Sequence, residues 1–139
     1  MPFYVKLLFS CLLFGIALVN AGHAQDVGAD YLGPWKQVAS NAGRCDRCEI
    51  RFDSASGQMI VTANNGWTAR VGMVRNGRMT ELQGQGAWSS TLRGNLRGHR
   101  FDVTFRLVGD ELYLSMRMID PTAKPRFVKG VFQRHWLGS

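Results

Sequence analysis

From Arg100 to Ile119 the chain alternates with a period of two. Phe101, Val103, Phe105 and Leu107 are separated by polar residues, and after Gly109-Asp110 the alternation resumes at Leu112, Leu114, Met116 and Met118. A period of two sends successive side chains to opposite faces of a strand, so each run predicts a half-buried strand. A Gly-x pair between such runs predicts a two-residue type II′ turn, and that turn fixes the register. Leu107 then faces Leu112, Phe105 faces Leu114, Val103 faces Met116 and Phe101 faces Met118, all on one side of the hairpin. On the other side the same register sets Asp102 against Arg117, an opposite-charge pair that a one-residue slip would destroy.

Turn residues punctuate the rest of the chain at intervals of about eight to twelve positions, the spacing of an all-β sandwich or barrel. A three-residue loop, Asn64 to Gly66, pairs Ala63 with Trp67, Val61 with Ala69 and Met59 with Val71. Upstream, a turn over Ser54 to Gly57 sets Phe52 beside Met59, Ile50 beside Val61 and Cys48 opposite Ala63. Downstream, Asn76-Gly77 predicts a type I′ hairpin joining Ala69-Val71-Met73 to Thr80-Leu82, with Gly84, Gly86 and Trp88 continuing inward. Strands near Trp35, Leu92 and Phe132 bring the total to eight or nine, the near-repeat Leu92-Arg93-Gly94-Asn95, Leu96-Arg97-Gly98-His99 being one irregular strand. Successive hairpins with short loops make a meander, which removes its edges most economically by closing on itself. The expected fold is all-β: a single antiparallel up-and-down β-barrel of about eight strands, with Gly84, Gly86, Gly94 and Gly98 relieving crowding where strands bend.

The first two dozen residues follow a different pattern. Lys6 supplies a positive charge, Leu7 to Val19 form an apolar run, and small residues follow at Ala21, Gly22 and Ala24. This predicts a secretory signal peptide over residues 1–24, with a β-barrel domain over 25–139 and a periplasmic or secreted location. The apolar run is shorter than the roughly twenty residues a membrane-spanning helix needs. Cleavage after Ala24 leaves Gln25 as the new N-terminus, and cleavage after Ala21 fits about as well. Cys11 follows Leu8-Phe9-Ser10 inside the apolar run, which does not suit a lipoprotein signal, so it belongs to the leader.

Charge adds a preference for partners. The chain carries 17 Lys and Arg against 10 Asp and Glu, and 13 of the basic residues are arginine. Loss of Lys6 with the leader leaves a net charge of +6. Between Arg70 and Arg106 seven arginines face only Glu81 and Asp102. Such a surface favours lipopolysaccharide, anionic lipid headgroups at a membrane surface, acidic envelope proteins or carboxylate ligands. Nucleic acid is not an expected partner outside the cytosol. The same arginines also read as ordinary solvent-facing strand residues that keep a sheet soluble and blunt its edges.

Two resemblances arise from short motifs. Gly33-Pro34-Trp35 opens the first strand, and Arg134 lies near the end of the last in Gly130-Val131-Phe132-Gln133-Arg134. This resembles the calycin barrels, such as lipocalins and avidin-like proteins, in which a Gly-x-Trp packs against an arginine from the closing strand. The resemblance implies that Trp35 and Arg134 plug one barrel end, a cation on an aromatic face. A narrower stretch, Leu32-Gly33-Pro34-Trp35 with Cys48-Glu49-Ile50-Arg51-Phe52, is similar to the opening of small periplasmic metalloprotease inhibitors. That resemblance implies an inhibitory N-terminal arm over Gln25 to Tyr31. It also implies a cysteine on the strand facing Cys48, where the register above puts Ala63.

Cys45 and Cys48 are the only cysteines after the leader, and in an oxidising compartment they most simply form one disulfide. Their C-x-x-C spacing is also that of thiol oxidoreductases, and Arg44 and Arg47 would favour a thiolate there. The redox versions sit at a helix N-terminus, however, whereas this pair leads into a strand. His99 and His135 are the remaining histidines, too few to complete a metal site with these cysteines. No nucleophile, base and orienter, paired carboxylates or phosphate loop can be assembled, so no enzyme activity and no cofactor are expected.

The function expected is that of an exported, non-enzymatic barrel binding a small apolar or amphipathic anionic ligand. Its lining candidates are Trp67, Trp88, Phe101, Phe105, Leu114 and Met116, and Arg93 and Arg97 are the candidates for the ligand's anionic group. A barrel of this size can instead fill its interior with side chains. The alternatives are a periplasmic protein-binding module or protease inhibitor acting through loops and the N-terminal segment, and a thiol-active CxxC protein.

Overall fold

The hairpin read from Arg100 to Ile119 is present, with every expected pair in register, in the structure, a computed structural model that describes residues 27–135. The leader over residues 1–24, both cleavage points, Cys11 and Gln25 lie outside the described residues. A short 3-10 turn, Val27–Tyr31, precedes β1 (Gly33–Ser40), β2 (Glu49–Ala55), β3 (Gln58–Ala63), β4 (Trp67–Asn76), β5 (Met79–Trp88), β6 (Arg100–Val108), β7 (Glu111–Ile119) and β8 (Arg126–Arg134). Each strand pairs antiparallel with its sequence neighbours, and β8 closes on β1 through Trp35 opposite Arg134. The fold is a closed eight-stranded up-and-down barrel.

Three expectations are corrected. The β2–β3 register is displaced by two residues: Phe52 faces Val61 and Ile50 faces Ala63, so Cys48 is not opposite Ala63. The cause is a tighter turn than Ser54 to Gly57. Ser56 and Gly57 both adopt left-handed backbone (φ 52° and 75°), which makes a two-residue type I′ turn and lets pairing run on to Ala55 and Gln58. The β4–β5 register is likewise shifted by two, with Met73 opposite Leu82, because the turn residues are Gly77-Arg78 and only Gly77 has positive φ. A shift of two keeps every side chain on its face, so the apolar interior survives both errors. Finally, residues 89–99 are a loop, not a strand, and Gly94 and Gly98 are turn residues within it.

Gly84 and Gly86 do lie within a strand, and the barrel wall needs them bare. A Cβ at Gly84 would fall on the Arg70 carbonyl, and one at Gly86 would meet the Thr68 carbonyl and the Phe101 ring. Below them the interior is solid. Trp35, Phe52, Val61, Leu82, Phe101, Phe105 and Leu112 are each at most 1% exposed. Phe52 and Phe105 meet edge to face with ring centroids 4.9 Å apart, an arrangement the ring quadrupoles favour.

Candidate functional site

The two ends of the barrel differ in their connections. At one end the strands are joined by the two-residue turns 56–57, 77–78 and 109–110. The other end carries the connections 41–48, 64–66, 89–99 and 120–125. The short-turn end is a floor. Tyr31 is buried against Phe52 with centroids 5.8 Å apart, and the Trp35 Nε1–H donates to the Tyr31 carbonyl at 2.8 Å. The Arg134 guanidinium lies 4.1 Å from the Trp35 ring centroid and donates to the backbone carbonyls of Asp30 and Leu32. Its pKa is drawn down by burial, from a starting value high enough that the group stays charged. The described part of the Gln25 to Tyr31 segment is therefore a turn packed on the floor, not a projecting arm.

The loop end opens into a cavity of about 760 Å³. Ile50, Trp67, Leu114, Met116, Met118 and Phe132 form its inner wall, and Trp88 and Leu96 stand higher at its edge. Alternation along β2, β4, β7 and β8 brings these side chains inward, and Gly130, an inward position of β8 without a side chain, lies among them. Trp88 pairs with Trp67 across β4 and β5, and its indole N–H is buried without an acceptor among the described residues. A buried donor of this kind is uncommon.

The rim is held by hydrogen bonds between loops. Asn41 accepts from the Lys129 N–H at 2.8 Å and donates to the Phe127 carbonyl at 3.2 Å, which ties the 41–48 loop to β8. At the loop's other end Asn64 donates to the Arg47 carbonyl at 2.7 Å and accepts from the Glu49 N–H at 3.0 Å. Between these ties Cys45 and Cys48 form a disulfide with Cα atoms 5.4 Å apart, and both residues line the cavity. The 89–99 loop is tied down by the Ser89 N–H donating to the Gly66 carbonyl at 2.8 Å and the Trp88 N–H donating to the His99 carbonyl at 2.9 Å.

Of the lining residues expected from sequence, Trp67, Trp88, Leu114 and Met116 border the cavity, whereas Phe101 and Phe105 do not. Phe101 packs under Trp67 at 5.5 Å and Phe105 under Phe52, both 0% exposed. Arg93 and Arg97 are exposed on the 89–99 loop and do not line the cavity, Arg97 being turned back to donate to the Leu92 carbonyl at 3.2 Å. The cations that border it are Arg44, Lys124 and Arg126. They lie in or beside loops that show no alternation, so only their place in the fold brings them together. His99 also borders the cavity, while His135 sits with its Nδ1 2.6 Å from Glu49 Oε2. Among the described residues no group of three or more His, Cys, Asp or Glu is placed to hold a metal ion. Comparison with protein-family models and with curated proteins found no match.

Proposed function

We propose that the protein is an exported, non-enzymatic barrel that binds a small apolar or amphipathic molecule in its mouth cavity. The observation that carries the reading is the division of the interior: a solid floor of aromatic and aliphatic side chains beneath an apolar cavity of about 760 Å³. The volume is within the range of small-molecule sites, and the lining joins the apolar inner wall to polar and charged residues contributed largely by the loops. The plug made by Trp35 and Arg134 supports a calycin-like reading of the barrel. The Cys45–Cys48 disulfide supports export to an oxidising compartment.

Native mass spectrometry of the protein purified from its own host tests the proposal. The wild type is expected to carry a small molecule, and Met116→Trp, which puts a bulky indole into the inner end of the cavity, is expected to carry less of it. A wild-type mass equal to that of the bare chain, or a small molecule retained in full by Met116→Trp, overturns the reading. A co-purifying protein in place of a small molecule favours an interaction module.

A further inference from the structure

We infer that the mouth cavity selects a molecule with one anionic group and a short apolar tail, and that Lys124 and Arg126 hold the anion. This rests on the cavity being a binding site. The charges around the rim divide into those already engaged and those left over. Arg44 is tied to Asp46, Nε to Oδ1 at 2.7 Å, so that cation is matched. The Glu49 carboxylate is engaged by His135 at 2.6 Å. Asp120 accepts from the Thr122 N–H at 2.9 Å and from its hydroxyl at 2.7 Å, which turns the carboxylate into its own loop. Lys124 and Arg126 make no ion pair among the described residues, and both border the cavity. Lys124 and Arg126, with one carboxylate beside them that is held by its own loop, give this side of the mouth two cations able to meet an anion.

The floor limits the tail. From Leu114 to Met118 the cavity follows four residues of β7, about 13 Å along a strand and roughly 10 Å along the barrel axis once the usual tilt is allowed for. Beneath that depth Phe52 and Phe105 fill the interior. An octyl tail fits above them, whereas a much longer one would leave its end outside the mouth.

Titration calorimetry with octanoate, octyl phosphate, octanol and octylamine tests the inference. Either anion is expected to bind roughly tenfold more tightly than octanol, the gain of a charge-assisted contact at a partly exposed site, and the pair of anions shows whether carboxylate or phosphate is preferred. The advantage over octanol is expected to shrink with added salt, as for any exposed charge contact. The doubly substituted Lys124→Gln, Arg126→Gln protein is expected to bind octanoate and octanol within about twofold of each other, with octanol affinity unchanged. Arg93→Gln with Arg97→Gln is expected to bind all four as the wild type does. Octanol or octylamine binding as tightly as octanoate in the wild type overturns the anion assignment while leaving the cavity as a binding site. Salt-independent octanoate binding, or an anion preference that survives the Lys124 and Arg126 substitutions, overturns the role of these residues. Failure of all four probes to bind overturns the cavity reading itself.

Discussion

Asp102 is a side chain whose protonation is governed chiefly by one neighbour. Arg117 Nη2 donates to its carboxylate at 2.6 Å and Gln85 Nε2 donates at 3.0 Å, and the hydrogen bond from Arg117 holds the carboxyl below its ordinary value of 3.8. A carboxyl whose pKa falls on folding adds stability above the unfolded value and loses it as the pH drops through the folded one. The pair is on the outer face and solvent screens it, so it is worth under about 1 kcal/mol. Asp102→Asn is expected to lower stability by that amount at neutral pH and by nothing once the solution is acid enough to protonate Asp102 in the folded wild type. Denaturant midpoints of both proteins across that range check it; a gap that stays constant with pH contradicts the assignment. This contact was legible in the sequence because a two-residue turn fixes which residues face each other. Lys124 and Arg126 were not, because a run of arginines stands out by count, and count carries no information on which cations a fold brings to one rim.

At the scale of strands and turns, alternation assigned the inward face along every strand that the registers cover, including the two hairpins whose register was displaced. It failed to give height along the barrel. Phe101 and Phe105 share a face with Trp67 and Leu114, yet only the latter two border the cavity. It also overran the chain at 89–99, where leucines spaced by glycine belong to a loop. The packed half and the crossing between β4 and β5 make separate demands. Phe105→Ala opens a void in a filled core and is expected to lower stability by about 3 to 5 kcal/mol. Gly86→Ala drives a methyl group into the Thr68 carbonyl and the Phe101 ring, and a loss of about 3 kcal/mol or more is expected. Equilibrium unfolding measures both; losses under about 1 kcal/mol at the two sites would contradict the register of β4, β5 and β6 together.

Across the whole molecule the same eight strands serve two purposes. Short turns, the Val27–Tyr31 segment, Trp35 and Arg134 make a closed and tightly packed floor, and longer loops hold the other end open around apolar walls. The barrel was legible because each hairpin carries its own turn signal. The cavity was only partly so, because an empty interior and a filled one call for the same alternation. The most direct measurement of the central claim is an NMR titration of the labelled protein with octanoate, following methionine methyl and tryptophan indole signals. Saturable shifts are expected at Met116, Met118, Trp67 and Trp88, with Trp35 on the floor unmoved. No saturable shift at these four residues, or shifts confined to exposed groups away from the mouth such as Met73 at the short-turn end and Met79 on the outer face, would contradict a binding site in the mouth.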